Sequence, residues 1–333
     1  MAKIAVFSAG SWGTAFSLVL ADAGHDVTMW ARRERVVHSI NRRHENPDYF
    51  PGIRLPAGIR ASTDPSTAID GADYVVLSVP SQTLRENLTM WKPLLDPDAT
   101  FISLMKGVEL GTTRRMTQVI SEVTGAPPDK VVVVSGPNLA GEIMRREPTA
   151  TVVACADEGV AKQVQALMHT RRFRPYRSVD VVGCELGGAY KNVIGLCVGM
   201  AIGMGFGDNT TASIITRGLA ETARLGRSLG ADPLTLMGLA GMGDLVATCS
   251  SPLSRNRTFG EKLGQGFSAA QIYATTRQVA EGARSCGALA ALARQHEVYA
   301  PITHYVDAVV RGDITPRDLV DAFEEIEAKR ERD

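Results

Sequence analysis

A four-residue apolar run, Ile4 to Phe7, breaks at Ser8-Ala9-Gly10-Ser11-Trp12-Gly13 and gives way at once to a helical pattern that ends at Gly24. A second apolar run follows over 27–31. A short apolar strand, a tight turn, a helix and another strand form a right-handed crossover in a parallel sheet. In a G-x-G-x-x-G turn the second glycine lets the backbone approach a pyrophosphate. The third lets helix and strand pack closely, and the helix N-terminus offers free N–H groups. Gly10 and Gly13 hold those two roles, and Ser8 stands at the first position.

The pattern repeats. Apolar runs at 4–7, 27–31, 74–78, 100–104, 131–134 and 151–154 alternate with helical periodicity at 13–23, 34–43, 82–88, 114–123, 139–146 and 160–169. Several runs lack polar alternation, as expected of parallel strands covered on both faces. Segment 45–60, containing Pro and Gly, reads as a long loop. Beyond about residue 178 strand signals fade. Helical patterns then dominate at 184–205, 211–229, 269–273, 283–296, 303–311 and 316–329, the last opened by Thr315 and Pro316. The expected fold is α/β: an N-terminal Rossmann-like parallel-sheet domain over 1–180 and a mostly α-helical domain over 181–333. A length of 333 residues agrees with two domains.

Composition excludes several classes. Lys+Arg and Asp+Glu both number 36, so the formal net charge is zero. Nucleic-acid binding normally takes a basic excess, so no such partner is expected. Five cysteines form no CxxC, and six histidines form no HxxxH or HExxH. Neither a metal site nor a disulfide framework is expected, and a reducing cytoplasm fits. The run 4–7 is too short for a signal core, and 193–206 falls short of the ~20 residues of a bilayer span. No leader and no membrane insertion are expected, and 193–206 reads as a buried helix.

A dinucleotide domain does not define a reaction. Where sites selective for NAD place a carboxylate after the second strand, this chain has Trp30-Ala31-Arg32-Arg33. Guanidinium groups suit a 2′-phosphate, so NADPH is the expected cofactor and NADH the second candidate. The other reading makes Arg32 and Arg33 surface charges. Lys106 and Ser135-Gly136-Pro137-Asn138 follow strand ends, where open α/β sheets bind ligands. Lys191 and Asn192 head a long apolar run, where a catalytic cation can be held in a dry cleft or a lysine can simply reach solvent. Asp244 is the one acid in a Gly-rich apolar stretch, either paired or an N-cap. Ser254-Arg255-Asn256-Arg257-Thr258 gathers donors that suit a phosphate at a helix start, or makes an exposed basic turn.

Together the segments AGSWGTA, LSVPSQ, MKGVE, SGPNLAGEI, GAYKNVIG, GLAGMGDLVATC, SRNRTFG and VAEG resemble the bacterial-type NAD(P)-dependent glycerol-3-phosphate dehydrogenase family, in family order along the whole chain. The resemblance implies interconversion of dihydroxyacetone phosphate and sn-glycerol 3-phosphate for phospholipid synthesis, in a cytoplasmic homodimer. By matching position it puts Ser11, Trp12, Arg32, Arg33, Lys106, Ala140, Val279 and Glu281 around the cofactor. Lys106, Gly136, Lys191, Asp244, Ser254, Arg255 and Asn256 would meet the substrate, with Arg255 also reaching the cofactor. Lys191 matches the proton-transfer lysine. On this expectation Asp244 orients Lys191, and Arg255 and Asn256 anchor the phosphate. Two positions depart from the family pattern: Ser8 replaces a glycine, and Asn138 stands where Ser or Thr is common. Two other functions compete. One is a related two-domain reductase of the β-hydroxyacid or ketopantoate type, and the other is a non-catalytic NADPH sensor.

Overall fold

The computed structural model describes residues 1–96, 98–275 and 280–318. Strands β1 (Lys3–Phe7), β2 (Asp26–Trp30), β3 (Ile59–Ser62), β4 (Tyr74–Leu77), β5 (Thr100–Ser103), β6 (Val131–Ser135), β7 (Thr149–Ala154) and β8 (Phe173–Ser178) form one sheet, ordered β3-β2-β1-β4-β5-β6-β7-β8. Between them run α1 (Ser11–Asp22), α2 (Glu34–Arg43), α3 (Pro65–Ile69), α4 (Leu84–Trp91), α5 (Met116–Thr124), α6 (Ala140–Met144) and α7 (Glu158–Met168). The rest of the described chain is helical: α8 (Val181–Gly203), α9 (Asp208–Ser228), α10 (Pro233–Met237), α11 (Asp244–Ser250), α12 (Arg255–Gly264), α13 (Ala269–Thr275), α14 (Glu281–Gln295) and α15 (Pro301–Arg311). This is a Rossmann-like domain followed by a helical one. The helix expected at 316–329 lies outside the described residues beyond Asp318.

Alternation along β1 sorts the core. Ile4 and Val6 face Phe16 and Leu20 of α1, while Ala5 and Phe7 face Leu84, Leu88 and Trp91 of α4. The parallel expectation holds for every pair except β6–β7, which is antiparallel with Val134 opposite Val153. The link between them carries only the five-residue α6, too short to return the chain to the far end of the sheet. Two strands escaped the sequence pattern. β3 lies partly in the segment read as a loop, and β8 carries Pro175, which an edge strand accepts.

Helix α8 spans 23 residues, longer than its apolar run, and forms the centre of the helical domain. Its length and composition would let it cross a bilayer, yet most of it is buried inside the protein. Helix α12 packs directly on it. A Cβ at Gly199 would overlap the carbonyl of Arg257, and one at Gly260 would overlap the carbonyl of Leu196. The two backbones therefore touch with no side chain between them. Across the domains, buried Glu185 of α8 accepts from Thr117 N at 2.9 Å and Thr117 Oγ1 at 2.7 Å, and it pairs with Arg115. A carboxylate from one domain thus satisfies the first turn of α5 in the other.

Candidate active site

A cleft of about 590 Å³ opens at the carboxyl ends of the central strands and is closed by α8, α12 and the start of α14. Gly10, Ser11, Trp12, Arg32, Arg33, Lys106, Ala140, Lys191, Ser254, Arg255, Asn256 and Glu281 line it. Gly13, Gly136 and Asp244 stand behind its wall. Val279 lies outside the described residues.

At one end is the β1–α1 turn. A Cβ at Gly13 would strike the Ser8 carbonyl, so this glycine permits the close helix–strand approach. Ser8 has φ 127°, in the region that favours glycine, and its Oγ accepts from Gly10 N at 3.2 Å. The first turn of α1 has no side-chain cap, so its amides remain directed at the cleft. Trp12 Nε1 and Asn138 Oδ1, both buried, have no hydrogen-bond partner among the described residues. Free helix-end amides and orphaned polar atoms beside a glycine turn fit a bound pyrophosphate and nicotinamide. Further out, Arg32 is exposed on the rim. Arg33 is not a lone charge: its guanidinium meets Asp48 Oδ2 at 2.5 Å.

At the floor, two lysines from different domains share one carboxylate. Lys106 Nζ lies 2.5 Å from Asp244 Oδ2 and donates to Gly136 O at 2.9 Å. Lys191 Nζ lies 3.1 Å from Asp244 Oδ1 and donates to Thr248 Oγ1 at 2.7 Å. Asp244 is 2% exposed, and each lysine side chain is 13% exposed, so all three charges are shielded from water. Asp244 opens α11 just after a π-helical turn, Leu239–Gly243, and the residue at the N-cap is Gly243. The capping reading of Asp244 therefore gives way to the paired one. Burial pushes the Lys106 amine down to about 8 against the pull of Asp244, and the charge of Lys191 pushes the same way.

The α12 N-terminus completes the floor. Ser254 caps α12 by accepting from Arg257 N at 3.3 Å. Asn256 is tied into a relay: its Nδ2 donates to Asn192 Oδ1 at 2.8 Å, its Oδ1 accepts from Gly282 N at 2.9 Å, and Asn192 Nδ2 donates to Lys106 O at 3.0 Å. Asn256 therefore braces three segments as well as facing the cleft. Exposed Arg255 projects from the first turn. Glu281 Oε2 accepts from Ser81 Oγ at 2.5 Å, joining α14 to the loop after β4. Burial pushes the Glu281 carboxyl above the usual carboxylate range, against that hydrogen bond.

Sequence reasoning missed Thr248, Ser81 and Asp48. Thr248 stood in reach, four residues after Asp244 on the same helical face. Ser81 and Asp48 lie in connecting segments with no periodic signal.

Residues 3–161 match the family model for the NAD-dependent glycerol-3-phosphate dehydrogenase N-terminus, and residues 180–321 match the model for its C-terminus. The chain is 59% identical over 330 residues to glycerol-3-phosphate dehydrogenase [NAD(P)+] of Streptomyces griseus, covering 99% of this chain and 98% of that one. It is 55% identical over 333 residues to the protein of the same name from Thermobifida fusca, covering 100% and 99%. The crystal structure of glycerol-3-phosphate dehydrogenase from Coxiella burnetii superposes with a TM-score of 0.92 at 35% identity, covering 98% of this chain and 99% of the other. Matched along both halves in sequence and along its length in structure, the chain belongs to the NAD-dependent glycerol-3-phosphate dehydrogenase family, and it is an oxidoreductase that uses a nicotinamide cofactor.

Proposed function

We propose that this chain interconverts dihydroxyacetone phosphate and sn-glycerol 3-phosphate, with NADPH as its preferred cofactor. The observation that carries this reading is the shared carboxylate at the cleft floor. Two ammonium groups converge there, opposite the glycine turn. When bound, the reduced nicotinamide supplies hydride to the ketone carbon. Negative charge then grows on the ketone oxygen. Lys191 donates a proton to that oxygen, and Lys106 adds a second positive charge beside it. Asp244 supplies the countercharge and holds both side chains in place. Arg255 and the amides at the α12 N-terminus bind the substrate phosphate, and that remote contact positions the reacting carbon. Gly10, Ser11, Trp12 and Ala140 hold the dinucleotide, Glu281 closes over it, and Arg32 and Arg33 face a 2′-phosphate.

A second assignment has its own support. A Lys106 amine near 8 is a better matched acid at neutral pH than an ordinary lysine, which favours Lys106 as the proton donor. Separate pH profiles of the Lys106 and Lys191 variants distinguish the two.

The accompanying proposals are a cytoplasmic homodimer, checked by light scattering, and a domain junction at residues 180–181. The deciding assay follows NADPH absorbance on addition of dihydroxyacetone phosphate, with dihydroxyacetone as control. Oxidation only with the phosphorylated ketone is expected. Equal rates with both, or with neither, overturn the reading.

A further inference from the structure

The outer rim of the cleft holds a group that the catalytic reading does not use. Asp48 lies in the segment between α2 and β3, and its side chain is only 10% exposed. One carboxylate oxygen accepts from Arg33 Nη1 at 2.5 Å, and the other accepts from Arg35. Asp48, Arg32 and Arg33 all line the cleft.

The position of Asp48 is fixed from below. Fully buried Asn46 donates from Nδ2 to Ala9 O at 2.9 Å and to Thr14 Oγ1 at 2.8 Å. Its Oδ1 accepts from Asp48 N at 3.3 Å. One amide side chain thus bolts the start of this loop to the β1–α1 turn.

A guanidinium that already serves a carboxylate has fewer donors left for a phosphate. A fixed negative charge beside that guanidinium also repels an incoming phosphate dianion, while a nucleotide lacking the 2′-phosphate meets no such repulsion. We propose that Asp48 is a specificity-determining residue that narrows the preference for the phosphorylated cofactor by holding Arg33 and Arg35, so that the end of the cleft accepts both nucleotides. Asp48 acts through Arg33 and is a positioning residue. The proposal rests on the reading that Arg32 and Arg33 face the 2′-phosphate.

The test uses the full-length protein and two probes that need no turnover, adenosine 2′,5′-bisphosphate and 5′-AMP, titrated calorimetrically. Asp48→Asn is expected to raise the affinity ratio of the first over the second by about two- to fivefold, the scale of a partly exposed charge pair. The NADPH-to-NADH ratio of kcat/KM should move the same way. A purely structural Asp48 would weaken both probes alike. Arg35→Gln, which leaves Asp48 to Arg33 alone, should lower the ratio and serves if Asp48→Asn folds poorly. An unchanged or lowered ratio in Asp48→Asn overturns the proposal. Should Arg32→Ala and Arg33→Ala also leave the ratio untouched, the 2′-phosphate reading itself fails. If those two lower the ratio and Asp48→Asn does not raise it, only the role of Asp48 falls.

Discussion

The ammonium of Lys106 and the carboxylate of Asp244 meet at 2.5 Å although 138 positions separate them in sequence. The pair joins the segment after β5 to the start of α11 and so ties sheet to helices at the floor of the cleft. Asp244→Asn leaves Lys106 and Lys191 facing each other without a countercharge. Breaking a buried pair in this way costs about 3–5 kcal/mol. Urea unfolding of the variant should show a loss on that scale, together with a steep fall in kcat. Wild-type stability would mean that the lysines find water or another partner.

Lys191→Ala should lower turnover by roughly 10²–10⁴-fold, the span general acid–base groups provide. Steady-state kcat measured with saturating dihydroxyacetone phosphate checks it. A drop seen only in KM would make Lys191 a binding residue.

Lys106 gives a pH signature with a defined sign. Its folded value of about 8 lies below the ordinary 10.5. Below pH 8 both folded and unfolded chains hold the proton, and the folded state bears the full cost of burying the charge. Between pH 8 and 10.5 the unfolded chain binds more protons, so this group's contribution makes the protein more stable as pH rises through that window. Lys106→Met should remove that rise in a series of denaturation midpoints. In the activity profile, a proton-transferring Lys106 should make ketone reduction decline and alcohol oxidation increase above pH 8, whereas a Lys106 that only supplies charge should make both decline together; either signature should vanish in Lys106→Met.

Ser8 adopts a backbone conformation that costs about 1–3 kcal/mol for a residue with a side chain. Ser8→Gly relieves it and also releases the Gly10 N–H now taken by Ser8 Oγ. A higher melting temperature and tighter dinucleotide binding are expected together. A variant that melts lower would show that the serine hydrogen bond outweighs the strain.

Gly199→Ala forces a methyl group against the Arg257 carbonyl. Overpacking of this kind costs about 1–3 kcal/mol. Because the clash lifts α12, the KM for dihydroxyacetone phosphate should rise more than the KM for the dinucleotide. Equal changes in both would place the damage elsewhere.

The central strands were legible because parallel strands buried on both faces read as plain apolar runs. β3 and β8 were not, since edge strands carry charge and proline freely. The glycine turn was legible because a strand before Gly10 and Gly13, a helix after them ending at Gly24, and a second strand at Val27 frame it. The lysines and Asp244 were visible only singly. No local pattern reports that Lys106 and Lys191, from two domains, would grip opposite oxygens of one acid. Asn256 was read as a ligand contact, and the hydrogen bonds that make it a brace come from distant segments. Asp48 sits in a loop whose order depends on a buried amide beneath it, which composition does not reveal.

The bare backbone seam between α8 and α12 has a mechanical consequence. With glycines on both sides there are no rotamers to absorb a displacement, so Lys191 and the N-terminal end of α12 travel as one body. Side chains, not bare backbone, join this unit to the sheet: Glu185 with Thr117, Glu281 with Ser81, and Asp244 with Lys106. The spacing between Lys191 and the first turn of α12 is therefore set by the main chain of the helical lobe itself.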